Sequence, residues 1–105
     1  MAGLAERRLR YWGDIDTHGF AILNRLRQRF PSAGSLLMDR RTLFAHQEHW
    51  TVEKDPALET LPDLTEEEQQ LYRGLLDDTY GRSVRLEQER VRFSLIRSAI
   101  QSLTG

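Results

Sequence analysis

The sequence predicts a small α/β domain with about three short, mostly parallel strands and about four helices. Three observations carry that prediction. Residues 9–38 read as strand, turn, helix, loop and strand, the order of a βαβ unit. Residues 65–68 form a helix-start signature ahead of an amphipathic stretch. The chain has 105 residues with 39% hydrophobic and 30% charged, enough for one folded domain and too apolar for a disordered one.

The elements follow in order. Leu4 to Arg10 is polar and basic, with weak helical spacing. Leu9 to Asp16 runs from aromatic, β-friendly residues into acids and reads as a first strand with Asp14 and Asp16 at its C-terminal end. Thr17-His18-Gly19 is the turn. A helix is expected from about Gly19 to Arg29, with Phe20, Leu23, Leu26 and Phe30 near 3.6 spacing and Pro31 as its stop. Ser35 to Met38 suits a buried parallel strand. A second helix is expected over Thr42–Trp50, then a connecting loop from Thr51 to Pro62 that holds two of the three prolines. Thr65 and Glu68 have capping-box spacing, Leu71, Tyr72, Leu75 and Leu76 form an apolar stripe, and Gly81 ends that helix. Val84-Arg85-Leu86 alternates like a third strand. Ser94 to Leu103 is a last amphipathic helix through Leu95, Ile96, Ile100 and Leu103.

Charge is unevenly distributed around a net of −1. Residues 1–50 carry +3, residues 51–78 carry −7 and residues 79–105 carry +3, and 14 of the 15 basic side chains are Arg. Arg-rich ends are compatible with a polyanionic partner, and equally with solvated helix faces. The absence of cysteine excludes disulfides, thiolate zinc sites and cysteine nucleophiles. No run of 18 apolar residues and no leader pattern appears, so a cytoplasmic protein with no membrane span is expected.

The segment richest in chemistry is Gly13-Asp14-Ile15-Asp16-Thr17-His18-Gly19. Residues two apart on a strand face the same way, so Asp14 and Asp16 converge if the strand persists. Two carboxylates at a strand end beside a helix N-terminus suit Mg²⁺ that also touches a phosphate. The plainer reading makes Asp14 a turn former and Asp16 a helix N-cap. His18 takes Thr's place in the Asp-x-Asp-x-Thr pattern of haloacid-dehalogenase-type phosphatases, which weakens that assignment. His18 is a candidate for water or leaving-group chemistry. His46 and His49, with Glu48 between them, have no further ligand spaced to complete a zinc site and read as surface or core-edge residues, and Trp12 and Trp50 as core or buried-edge. Glu87 and Glu89 are a second acidic pair at period 2. They are a salt-bridged strand end, or donors to the same cation if their strand lies beside that of Asp14.

Residues 11–23, from Tyr11-Trp12-Gly13-Asp14 to Ile22-Leu23, resemble the C-terminal Toprim domain of the JetD (MksG-type) proteins, the DNA-cleaving subunit of Wadjet anti-plasmid systems, themselves similar to the topoisomerase VI A subunit. The resemblance continues through Leu36-Leu37-Met38-Asp39-Arg40-Arg41-Thr42-Leu43, His46, Trp50, Leu64-Thr65, Glu68, Leu71-Tyr72 and Arg85-Leu86-Glu87-Gln88-Glu89-Arg90. It implies a partial Rossmann-like Toprim fold spanning 1–105 as a single domain, with an acidic loop and helix at about 51–80. It further implies Mg²⁺ (or Mn²⁺) on Asp14 and Asp16 during phosphodiester cleavage, with His18, Glu87 and Glu89 as supporting candidates. The implied partners are closed circular plasmid DNA and condensin-like defence subunits. The glutamate strand that Toprim domains place ahead of the Asp pair is expected upstream of this sequence, since Glu6 sits in a polar stretch. A sheet without that edge strand predicts self-association. Two functions follow: a metal-dependent nuclease domain, or a non-catalytic interaction module.

Overall fold

The computed structural model describes residues 9–104, so the Glu6 reading and most of the Leu4–Arg10 stretch fall outside the described residues. Among the described residues four α-helices and four two-residue strands alternate: β1 (Arg10–Tyr11), α1 (Thr17–Arg29), β2 (Gly34–Ser35), α2 (Arg40–Ala45), β3 (Thr51–Val52), α3 (Glu66–Leu76), β4 (Val84–Arg85) and α4 (Gln88–Thr104). A 3-10 turn at Gln47–His49 follows α2. The α/β class and the helix count expected from sequence are both present.

The strands differ from the expectation of one mostly parallel sheet. β1 and β2 pair in parallel with Arg10 opposite Gly34, while β3 and β4 form a separate antiparallel pair with Val52 opposite Val84. A single antiparallel bridge, Ile15 with Leu86, links the two halves through hydrogen bonds of 2.9 and 3.0 Å. The first strand stops at Tyr11, ahead of the acids. The segment read as a loop from Thr51 supplies β3 because Glu53 N–H continues the pairing onto Ser83 O at 2.7 Å.

Helix boundaries moved where a side chain caps an amide that periodicity does not mark. Asp39 accepts from Thr42 N–H at 2.7 Å and starts α2 at Arg40. It ends at Ala45, earlier than expected, and Trp50 folds back so that its indole N–H donates to Leu43 O at 2.8 Å. α3 has the full capping box at Thr65 and Glu68 and closes at Asp77, well before Gly81. Gly81, at φ 154°, turns the chain into β4 instead. α4 begins six residues before the expected Ser94, for a reason that lies in the acidic loop described below.

The core forms between α1, α3 and the bridge. Phe20, Leu23, Ile15, Leu43 and Leu86 are fully enclosed, and Phe20 meets Tyr72 edge to face at 6.3 Å. Burying such side chains contributes about 1.5–3 kcal/mol each. One buried ion pair fastens α1 to α3: Arg27 donates to both oxygens of Glu68, at 2.6 and 3.2 Å. Trp12 and Trp50 are half-buried against the core. α4 is different. Only Val91 is buried, and Phe93, Ile96, Ile100 and Leu103 stand exposed along one side.

Candidate metal and phosphate site

The loop from Gly13 to Asp16 is extended at Ile15, because the Ile15–Leu86 bridge straightens it. Asp14 and Asp16 flank that bridged residue. They therefore project to the same side although no continuous strand carries them. Each aspartate spends one oxygen on a helix. Asp14 Oδ1 accepts from Gln88 N–H at 2.7 Å, which sets the start of α4. Asp16 Oδ1 accepts from Gly19 N–H at 2.6 Å as the N-cap of α1. The other oxygen of each turns to one guanidinium: Arg85 Nη2 lies 3.2 Å from Asp14 Oδ2, and Arg85 Nε lies 3.2 Å from Asp16 Oδ2. The second contact is close in distance but off the line of the N–H, so the buried Nε–H has no hydrogen-bond acceptor.

A third carboxylate stands behind the pair. Glu53, 5% exposed, accepts from Thr17 N–H at 3.1 Å and Thr17 Oγ1 at 2.7 Å on one oxygen, and from His18 N–H at 3.2 Å on the other. It satisfies the free amides of the first turn of α1 and favours the positive end of the helix dipole. Thr17 Oγ1 in turn accepts from Ala57 N–H at 2.7 Å, which fixes the loop carrying Glu53. Nothing in the residue pattern marks Glu53; it lies in an aperiodic stretch, and only the pairing of β3 with β4 delivers it. Gly19 has a steric reason to be glycine, since a Cβ there would strike the Asp14 carbonyl oxygen.

Asp16 is 4% exposed, and its pKa is pushed up to about 6. Burial is the largest cause, the Gly19 N–H pulls it down, and the charges of Glu53 and Asp14 raise it further against the pull of Arg85. Three carboxylates outnumber the two cations at the cleft, Arg85 and Lys54. Tyr11 borders the same cleft, and burial with the nearby Asp14 and Asp16 raises its phenol pKa. The open cleft, about 420 Å³, is bounded by the two aspartates, His18, Glu53, Lys54 and Arg85.

The other candidates divide. His18 is exposed at the cleft, with its ring Nε2 2.8 Å from Asp55 O. Glu87 and Glu89 are not a strand-end pair: Glu87 follows β4, Glu89 lies in the first turn of α4, and they line a separate shallow pocket with Arg90 and Phe93. The residues after β4 do lie beside the Asp14 segment, yet α4 starts at Gln88 and carries Glu89 away. Glu87, just ahead of the helix, stays close enough for its charge to act on Arg85 without lining the aspartate cleft. His46 bonds Thr42 O at 2.9 Å, and His49 lies 3.6 Å from Glu48, a local pair. Among the described residues no three His, Asp or Glu side chains converge as a metal cluster.

The donor set nonetheless fits a hard divalent cation. Mg²⁺ binds through one or two carboxylates and fills its remaining positions with water and phosphate oxygens. Asp14 Oδ2 and Asp16 Oδ2 share a single cationic neighbour and are fixed in direction by the amides on their opposite oxygens, the role outer-shell partners play around metals.

A family model described as Wadjet protein JetD, C-terminal matches residues 1–100 of the chain. No curated protein matches it. No helix among the described residues is long and apolar enough to cross a membrane.

Proposed function

The chain belongs to the Wadjet JetD C-terminal family, and from that membership we propose that it is part of a metal-dependent DNA-cleaving subunit of the Wadjet defence system. Asp14 and Asp16 are its Mg²⁺ ligands, within a partial Toprim fold. The observation that carries this reading is that the two Oδ2 atoms, one from each aspartate, face the same cation. Asp14 and Asp16 would hold the ion, which when bound would supply polarisation of the scissile phosphate and a lowered pKa for the attacking water. The chain's own residues do the rest. Glu53 and the Gly19 amide hold the first turn of α1 and the Asp16 carboxylate in place; the Gln88 amide does the same for Asp14. His18, exposed at the lip with its Nε2 on the Asp55 carbonyl, is the candidate for passing a proton to or from solvent. Arg side chains of the flanking segments meet the DNA backbone. The substrate on this reading is closed circular plasmid DNA, and the partners are condensin-like subunits of a cytoplasmic system.

Asp16→Asn in the complete JetD subunit tests the reading. The expected outcome is loss of plasmid nicking by about 100-fold or more in Mg²⁺ with assembly intact. Nicking at the normal rate removes Asp16 from the chemistry. A second reading, an interaction module, is favoured by the exposed apolar side of α4, with Phe93, Ile96, Ile100 and Leu103 spaced as in a helix-packing seam. It covers self-association and docking of partner subunits. Ile96→Glu with Ile100→Glu is expected to abolish assembly while leaving Mn²⁺ binding unchanged, and intact assembly in that variant rejects this role.

A further inference from the structure

This inference rests on Asp14 and Asp16 being the ligands of a divalent cation. We propose that Arg85 is the resident counter-charge of that pair, that metal loading expels it, and that the freed guanidinium then takes a phosphate oxygen of the DNA. Arg85 is a phosphate-binding residue that becomes available only when the metal is in place.

The geometry supplies each part. Arg85 touches the same two oxygens, Asp14 Oδ2 and Asp16 Oδ2, that face the cleft and are free of backbone hydrogen bonds. A divalent ion bridging those atoms and a guanidinium contacting both cannot coexist, by space and by charge. Arg85 is held by one hydrogen bond, Nη2–H to Asp14 Oδ2 at 3.2 Å, while its Nε–H, though 3.2 Å from Asp16 Oδ2, finds no acceptor; the side chain is 36% exposed and that of Asp14 34%. Its backbone is fixed, because β4 pairs with β3 and Leu86 is bridged to Ile15. Expulsion therefore moves the guanidinium and leaves its stem in place, at the border of the cleft that the phosphodiester must enter. A planar, permanently charged fork released there is suited to two phosphate oxygens. Lys54 borders the same cleft but makes no ion pair with either aspartate, so among the described residues Arg85 alone is positioned for this exchange.

One substitution separates this role from a structural one, because it moves two readouts in opposite directions. In Arg85→Gln, Mn²⁺ binding followed by the free-ion EPR signal is expected to tighten about fivefold, the competitor being gone. The tightening of a short DNA duplex on adding Mg²⁺, read by fluorescence anisotropy, is expected to vanish in the same variant. Arg85→Lys, which keeps the charge but reaches a single oxygen, falls between the two. In the unaltered chain, Mg²⁺ addition is expected to shift the Arg85 Nε–H resonance and speed its exchange with water, and this check does not depend on any variant folding. Unchanged or weaker Mn²⁺ binding in Arg85→Gln, or an unmoved Nε–H resonance in a Mg²⁺-loaded chain, overturns the competition and leaves the metal reading intact. Tighter Mn²⁺ binding with the Mg²⁺-dependent DNA tightening retained overturns the phosphate role. Absence of Mn²⁺ binding in both folded proteins overturns the metal reading and this inference together.

Discussion

Glu68 and Asp16 are both buried carboxylates in the first turn or cap of a helix, yet their surroundings act on them in opposite directions. Burial would raise the pKa of Glu68, but the two hydrogen bonds from Arg27, the Thr65 amide and the Ser35 hydroxyl outweigh it and hold the group below its ordinary value. At Asp16 burial prevails: one amide and an off-line guanidinium do not offset desolvation and the charges of Glu53 and Asp14. The difference is one of stoichiometry. Around Glu68 one acid meets one Arg with its oxygens satisfied, whereas around Asp16 two aspartates share one Arg and the charge of Glu53 adds to theirs. The first arrangement stabilises a helix contact, and the second keeps unneutralised charge in a cleft, where a metal ion is its natural complement.

The strongest way to break the comparison is to unpair Glu68. Arg27→Met strands a buried carboxylate and is expected to cost about 3–5 kcal/mol by urea denaturation. Arg27→Met combined with Glu68→Met should recover much of that loss, since a buried pair is replaced by apolar volume.

The opposite sign is expected at the other carboxylate. Asp16 has a raised folded-state pKa, so its protonated form is favoured by folding. Its effect on stability is neutral below its unfolded value near 3.8 and becomes a penalty as pH rises through about 6. Asp16→Asn keeps an oxygen for the Gly19 amide and removes the charge. It is expected to match the wild-type chain at pH 3.5 and to exceed its stability by about 2 kcal/mol at pH 7.5. Glu68 contributes in the reverse window: its stabilisation is present above its ordinary pKa and disappears as the solution becomes acidic, so Glu68→Gln should cost stability at pH 7 and little at pH 3. Denaturation midpoints of the two variants across pH 3–8 should therefore diverge from the wild type in opposite senses.

The smallest effect sharpens the role of Glu53. Glu53→Gln retains an acceptor for Thr17 but leaves one fewer for His18 N–H, a cost of about 1 kcal/mol partly returned by relief of like charge. Its clearer signature is a lower Asp16 pKa, read from the carboxyl ¹³C shift of Asp16 against pH.

The legible parts of this molecule were the local ones. Thr65 and Glu68 marked the start of α3 because a capping box is complete within four residues, and α1 was visible because its apolar repeat is intact from Phe20 to Leu26. The Asp14–Asp16 spacing anticipated that the two side chains converge, and both Oδ2 atoms do meet Arg85. What was hidden depended on distant partners. Strands two residues long have no period to read, so the division into a parallel and an antiparallel pair was invisible. The early start of α4 was hidden too, because its cap, Asp14, lies 74 residues away from Gln88.

Composition and motif order by themselves determined an α/β domain without cysteine chemistry, whose Asp14–Asp16 pair precedes a helix. Those properties reside in neighbouring residues and in chain-wide totals, and folding does not alter them. Tertiary structure alone decided that Glu53 stands behind the aspartates, that Arg85 bridges them, and that Glu87 and Glu89 line a different pocket. Those placements follow from the pairing of β3 with β4 and the Ile15–Leu86 bridge, contacts between segments more than 30 residues apart whose long-range energetics no local pattern encodes.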